Sequence, residues 1–215
     1  MKYKGLKIMF CIPGASFSSH FLNCWDLLTR FMNKEEIEYG LNTGYIPIIN
    51  LARDKVLGIN HDAEIKIPFD GKIIYDYIMW IDSDTIFAPE QFKNLLDSKV
   101  QVVSGYCTML NNDGKHKYAV VKNGKHINQK VIQDFLNEID CGCNTIMKVD
   151  KPTLAFCLIE KKVMDKLTYP YFDIEYKNGT WKGEDYYFFD KITQAGFNMH
   201  IHTASRVGHL KQQIF

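Results

Sequence analysis

Two aspartates separated by one residue follow a strongly apolar run. Asp82 and Asp84 come directly after residues 75–81, which are nearly all apolar and predict a buried central strand. Residues i and i+2 of an extended chain point the same way, so both carboxylates can face one site beyond the carboxyl end of that strand. Such a pair suits a hard divalent cation that also holds a phosphate. The alternative is an ordinary polar turn, because about one pair with this spacing is expected by chance in a chain with 16 aspartates.

A second acidic pair lies near the predicted start of the last helix. Glu184 and Asp185 follow Gly183 and open a helix expected over 184–195. A helix dipole favours carboxylates in the first turn, so this pair is equally compatible with a structural role. The functional hypothesis is a general base aimed into a cleft. Aromatic rings nearby offer flat faces on which a sugar could pack: Trp181, Tyr186 and Tyr187.

Arg53 is the third candidate. We expect it in the first turn of a helix that begins near Asn50. A cation there opposes the helix dipole, and a nearby anion or ligand would explain it. The alternative is a solvent-exposed arginine that pairs with Asp54 or Asp62.

The fourth candidate lies at the C-terminal end of the sequence. His209 and Lys211 follow the last predicted strand, 198–202. A lone histidine is more often a structural or surface residue than a ligand. His200 and His202 share one face of that strand, and we expect both to be structural or surface residues, because spacing places no third zinc ligand.

Composition limits the class of protein. The 215 residues carry a net charge of +1 and are 46% hydrophobic, which predicts one folded domain and excludes global disorder and a dedicated nucleic-acid binder. No segment approaches the length of a membrane span, and we expect a soluble, cytoplasmic protein. The six cysteines are expected to be reduced and mostly structural: Cys11, Cys24, Cys107, Cys141, Cys143 and Cys157.

Strand and helix patterns alternate along the chain. The apolar runs predict strands at 7–13, 37–41, 75–81, 100–107, 154–159 and 198–202, with helices after Ser19, near 50–59, and at 90–96, 161–167 and 184–195. A turn is expected at 42–44 and a hairpin around 122–125. This order predicts a single α/β domain over 1–215, with a Rossmann-like mixed central sheet, mostly parallel with an antiparallel edge, flanked by helices.

Taken in order, these pieces resemble a glycosyltransferase of the A-type (GT-A) fold, in the nucleotide-diphospho-sugar transferase superfamily. The segments that carry the resemblance are Cys11–Gly14, Asn50–Asp54, Met79–Asp84, Ala155–Lys161 with Pro170–Phe172, Gly183–Phe188, and Gly208 with His209. The resemblance implies a nucleotide-binding half of about 1–107 and an acceptor-side half of about 108–215. It also implies a small, minimal catalytic core, and the lysine-rich composition hints at a viral or bacterial source.

The resemblance implies a role for each matched residue. Donor-binding positions would be Pro13, Gly14, Arg53, Asp82, Ser83 and Lys211. Asp84 and His209 would bind Mn²⁺ or Mg²⁺, with Asp82 contacting the ribose or a metal-bound water. Asp185 would be the base that deprotonates the acceptor, with Glu184 as its substitute. One departure is Ala155, where the family pattern has glycine, and this could reshape the sugar pocket.

The expected activity is metal-dependent transfer of a sugar from a nucleotide-diphosphate sugar, UDP-sugar by family frequency, to a hydroxyl of a glycan or another acceptor. One alternative is a haloacid-dehalogenase-like phosphohydrolase with Asp82 as nucleophile and Asp84 as acid. Another is a nucleotide-sugar-binding protein without turnover.

Overall fold

A computed structural model of the chain describes residues 2–110, 116–138, 145–177 and 179–210. The helices are α1 (Ser19–Lys34), α2 (Ile49–Val56), α3 (Pro89–Asp97), α4 (Gln129–Glu138), α5 (Lys161–Met164) and α6 (Glu184–Gln194), with a 3₁₀ turn at Pro68–Gly71. The strands are β1 (Lys7–Pro13), β2 (Glu38–Gly44), β3 (Tyr77–Ile81), β4 (Thr85–Ile86), β5 (Val102–Tyr106), β6 (Thr108–Leu110), β7 (His116–Tyr118), β8 (Val121–Lys122), β9 (Lys125–His126), β10 (Ile146–Val149), β11 (Phe156–Glu160), β12 (Glu175–Lys177), β13 (Thr180–Lys182), β14 (Met199–Arg206) and β15 (Gly208–His209).

Seven of these strands form one mixed sheet, in the order β10-β14-β5-β11-β3-β1-β2. β1 pairs in parallel with β2 and β3, and β5 pairs in parallel with β14. β10 is the antiparallel edge, and β11 also runs antiparallel, between β3 and β5. The predicted α/β fold with a mixed, mostly parallel sheet is confirmed.

The central strands are buried on both faces, as their unbroken apolar runs predict. Along β1, Met9 and Cys11 face one apolar core, whereas Ile8, Phe10 and Ile12 face the other. Full burial of one large apolar side chain stabilises the fold by about 1.5–3 kcal/mol. Both cores therefore hold β1 and β3 in place, and with them the loops that follow these strands.

Two local predictions are wrong. The turn expected at 42–44 is strand, because β2 keeps its register with β1 as far as the pair Pro13 and Gly44. Arg53 lies in the last turn of α2 and not in the first, since this helix ends at Val56. A cation in the last turn agrees with the helix dipole, so Arg53 needs no anion on that ground.

The predicted hairpin around 122–125 is present. β8 and β9 are joined by Asn123 and Gly124, both with positive φ (53° and 70°), as a tight primed turn requires.

The cysteine prediction is confirmed where the structure describes the chain. Four free cysteines are buried: Cys11, Cys24, Cys107 and Cys157. Cys141 and Cys143 lie outside the described residues. No helix in the described part of the chain has the length and apolar character needed to cross a membrane.

Candidate functional site

The loops after β1 and β3 meet at the carboxyl edge of the sheet. Because β1 and β3 are parallel neighbours, Gly14 comes next to Ser83. A Cβ atom on Gly14 would lie 2.5 Å from Ser83 Cβ, so only glycine allows this approach. The Gly14 amide donates to the carbonyl of Gly44, at 2.9 Å, which fixes the first loop against the end of β2.

Backbone hydrogen bonds hold the turn that contains the two aspartates. The Asp82 amide donates to the carbonyl of Ala155, at 3.0 Å. The Thr85 hydroxyl donates to the same oxygen, at 3.1 Å, and the Thr85 amide donates to the Asp82 carbonyl, at 3.0 Å. Ala155 therefore holds this turn through its backbone carbonyl oxygen. A glycine at this position would offer the same oxygen.

Arg53 is buried between two carboxylates. Its Nη1 donates to Asp82 Oδ1 at 2.6 Å, and its Nε lies 3.6 Å from Glu184 Oε1. The guanidinium carbon lies 5.5 Å from the centre of the Trp80 ring. The Arg53 side chain is only 5% exposed, so the exposed arginine paired with Asp54 or Asp62 is excluded. Arg53 connects α2, the end of β3 and the start of α6.

Asp84 and His209 are brought together by the C-terminal segment. β15 pairs antiparallel with β4, and the Leu210 amide donates to the Asp84 carbonyl at 2.8 Å. His209 Nε2 then lies 3.1 Å from Asp84 Oδ2. Partial burial raises the pKa of Asp84, an effect that His209 opposes. Lys211, predicted to reach a phosphate, lies outside the described residues.

Glu184 and Asp185 differ in their surroundings. Glu184 faces Arg53, whereas the Asp185 carboxylate accepts the amide hydrogen of Tyr186 at 2.7 Å. Burial raises the pKa of Asp185 to about 6, and the charge of Glu184 adds to the effect. A carboxyl group with a pKa near 6 is suited to accept a proton close to neutral pH.

A cleft of about 300 Å³ lies beside these groups. Part of its wall is the segment that follows β2, which the sequence did not single out. The apolar run from Tyr45 to Ile49 marks this segment, and it follows a strand that ends at the same edge as β1. The lining residues are Pro13, Gly14, Ala15, Tyr45, Ile46, Pro47, Ile49, Ala52, Arg53, Asp82, Ser83 and Asp84.

Two of the residues expected to bind a divalent cation, Asp84 and His209, lie close enough together to share one. Within the described residues, no three His, Cys, Asp or Glu side chains form a metal-binding group. Asp84 and His209 supply two donors, and their 3.1 Å separation is close to the roughly 3.0 Å between adjacent ligands of an octahedral ion with bonds near 2.1 Å. One carboxylate oxygen and one imidazole suit Mn²⁺ as well as Mg²⁺, provided that the substrate or water supplies the remaining ligands.

Asp54 is a further buried carboxylate that the sequence suggested only as a partner of Arg53. It is 2% exposed, and its Oδ1 has no hydrogen-bond partner among the described residues. Burial raises its pKa to about 6, while His61 and the Tyr169 hydroxyl oppose the rise. Sequence spacing could not reveal the contact between Asp54 and Tyr169, because Tyr169 comes from a distant part of the chain.

The other histidines of β14 have structural positions, as expected. His202 is buried, and its Nε2 lies 2.8 Å from the Thr145 hydroxyl. Burial lowers the pKa of both His200 and His202. Among the suggested aromatic platforms, Trp181 is 70% exposed and packs against Tyr176, with ring centres 4.9 Å apart.

Comparison with solved structures defines the fold class. The chain has the A-type glycosyltransferase fold. A197 from STIV aligns over 98% of this chain and 96% of its own, with a TM-score of 0.53 and 17% identity. GalNAc-T7, in a crystal structure with UDP, GalNAc and Mn²⁺, aligns over 96% of this chain with a TM-score of 0.50 and 14% identity, and this chain spans 44% of it. No protein-family model and no curated protein matches the sequence.

Proposed function

We propose that this protein is a metal-dependent glycosyltransferase that moves a sugar from a nucleotide-diphosphate sugar, with UDP as the expected nucleotide, to an acceptor hydroxyl. The observation that carries the proposal is the contact between Asp84 and His209 beside the cleft that contains Gly14, Arg53 and Ser83. The A-type fold and the UDP and Mn²⁺ in the GalNAc-T7 structure support the choice of substrate and metal.

In the proposed site, Asp84 and His209 hold Mn²⁺ or Mg²⁺. When bound, the cation stabilises the negative charge that develops on the leaving diphosphate. Pro13, Gly14 and Ser83 line the cleft and are proposed to contact the nucleotide. Lys211 is proposed to contact a phosphate.

Arg53 positions groups in the site. Its hydrogen bond to Asp82 orients that carboxylate, whose other oxygen is proposed to contact the ribose or a water on the metal. The same guanidinium faces Glu184, which leaves Asp185 as the carboxylate proposed to take the proton from the acceptor hydroxyl. Glu184 is the proposed substitute for Asp185.

The test is a panel of nucleotide sugars, each incubated with the protein with and without Mn²⁺ and scored for release of free nucleotide diphosphate. We expect release that requires the metal and is greatest for a UDP-sugar. A generic phosphate ester is the control: metal-dependent phosphate release from it, with no nucleotide release, would replace the proposal with the phosphohydrolase. Metal-dependent UDP binding without any sugar transfer would favour a binding protein.

A further inference from the structure

The edge of the sheet formed by β2 is unprotected. β2 has seven residues and pairs only with β1, so its other side meets no strand among the described residues. Exposed edges are normally blocked by lysine, proline or a bulge, since their free amide and carbonyl groups can pair with another chain. β2 contains no lysine or proline, and its register with β1 is unbroken. Within the described part of the chain, this edge is therefore open to a further strand.

Apolar side chains surround the edge. A groove of about 400 Å³ lies over Gly40, between β2 and the segment of Ile73 and Ile74. Ile74 is 78% exposed and Leu41 is 44% exposed. Leu41 lies on the opposite face of β2 from Gly40, because successive residues of a strand alternate. Both faces of the edge thus carry apolar groups in contact with water.

The two ends of β2 carry opposite charges. Glu38 at the first position is exposed, and its carboxylate lies 3.7 Å from Lys7 Nζ. At the last position, a Cβ on Gly44 would lie 3.0 Å from Lys55 Cδ, so the Lys55 side chain extends along that end. Lys55 is exposed and forms no ion pair with another residue that the structure describes. Glu38 and Gly44 face the same side of the sheet.

We propose that β2 binds β2 of a second copy of this chain, antiparallel, about a two-fold axis at Leu41. In this register Glu38 lies opposite Gly44 of the second copy, which brings its carboxylate to Lys55 of that copy. The two Leu41 side chains meet at the axis, where directly opposite residues pack against each other. The axis also places Ile74 of both copies on the same face of the joined sheet. The two-fold axis forms the contact between Glu38 and Lys55 twice, once at each end of the interface, as an isologous dimer requires.

The mass of the full-length protein in solution, measured by light scattering at micromolar concentration, tests the dimer. We expect twice the 25.0 kDa monomer mass. Leu41→Lys places two ammonium groups at the axis and is expected to give a monomer with an unchanged circular dichroism spectrum, which shows that the fold is kept. Leu136→Lys is the matched control, since Leu136 is 38% exposed on α4 and should leave the dimer intact. A monomeric wild-type protein, or a dimeric Leu41→Lys variant, overturns the proposal.

A charge exchange tests the register. Glu38→Lys or Lys55→Glu alone places like charges together at both ends of the interface and should raise the dimer dissociation constant on the order of 10- to 100-fold. The double variant Glu38→Lys, Lys55→Glu restores opposite charges across the axis and should recover most of the affinity. If the double variant dimerises no better than the single variants, Glu38 and Lys55 do not meet and the proposed register is wrong.

Discussion

At the scale of single residues, the site separates two neighbouring carboxylates by their environment. Glu184 lies opposite the buried guanidinium of Arg53, whereas the partly buried Asp185 has its pKa raised to about 6. A carboxyl group whose pKa is raised towards neutral pH is a better proton acceptor for the acceptor hydroxyl. The proposed division of labour between Glu184 and Asp185 follows from this difference.

Replacement of the proposed base should reduce turnover and spare donor binding. We expect Asp185→Asn to lower kcat by roughly 10²–10⁴, the usual contribution of a general base, with little change in the affinity for UDP. Steady-state assays and calorimetry measure the two quantities. Asp134→Asn, at an exposed position of α4, is the control and should keep full activity. Near-normal turnover in Asp185→Asn would move the role to Glu184 or to a mechanism without a protein base.

The pH dependence of turnover reports the same carboxyl group. A base must be deprotonated, so kcat/KM, which reports the free enzyme, should rise with pH through an apparent pKa of about 6, the raised value of Asp185. The charge of Glu184 contributes to that rise. Glu184→Gln removes the charge, favours the ionised form of Asp185 and should shift the acidic limb to lower pH. An acidic limb in the same place for both proteins would contradict the assignment.

At the scale of elements, the C-terminal segment completes the site through a short contact. β15 pairs with β4 over two residue pairs, and the Leu210 amide adds one hydrogen bond. By contrast, Val207 just before it is buried, and its amide donates to the Tyr106 carbonyl at 2.9 Å. So small a ladder should open locally far more often than the main sheet.

Ligand binding should therefore protect the amides of residues 208–210. If His209 binds the cation, Mn²⁺ and UDP together stabilise the closed segment by mass action and slow its hydrogen exchange. Hydrogen exchange with and without these ligands measures the change, and Val207 serves as an internal control whose exchange should change little. Equal exchange of residues 208–210 in both states would mean that His209 does not bind the metal.

Local sequence patterns predicted most of these elements but not all of their limits. The strands at 7–13 and 77–81 were predictable because residues 8–13 and 77–81 are continuously apolar and almost all buried. The strand through 42–44 was not, since pairing with β1 overrides the local turn preference of Asn42 and Gly44. The antiparallel direction of β11 was equally hidden, because a strand's direction depends on the path of the chain between strands.

At the scale of the whole molecule, contacts between segments that are distant in the sequence determine the charge environment of the carboxylates in and near the site. Arg53 joins Asp82 to Glu184, and Asp54 on the same helix is buried beside Tyr169. The sequence marked Arg53, Asp82 and Glu184 as candidates one at a time. It could not show that one guanidinium serves both carboxylates, or that Asp54 lacks a full set of partners, because such contacts exist only after folding.

The buried Asp54 should make stability depend on pH. Its pKa rises from 3.8 to about 6 on folding, so the folded state binds the proton more tightly, and Asp54 lowers stability as pH rises from about 4 to 6. Asp54→Asn removes this cost. Urea unfolding should show a gain relative to wild type that is about 1–2 kcal/mol larger at pH 7.5 than at pH 4, after allowance for solvent near the half-exposed His61. The exposed Asp134→Asn should show no such difference.

Calorimetric titration of UDP, with and without Mn²⁺, tests the proposed function most directly. The wild-type protein should bind UDP much more tightly with Mn²⁺ present, whereas Asp84→Ala and His209→Ala should lose most of that gain and keep their circular dichroism spectra. The reason is that each variant removes one of the two donors that lie 3.1 Å apart. If Mn²⁺ does not strengthen UDP binding to the wild-type protein, or strengthens binding to Asp84→Ala equally, the metal-dependent transferase is the wrong function for this site.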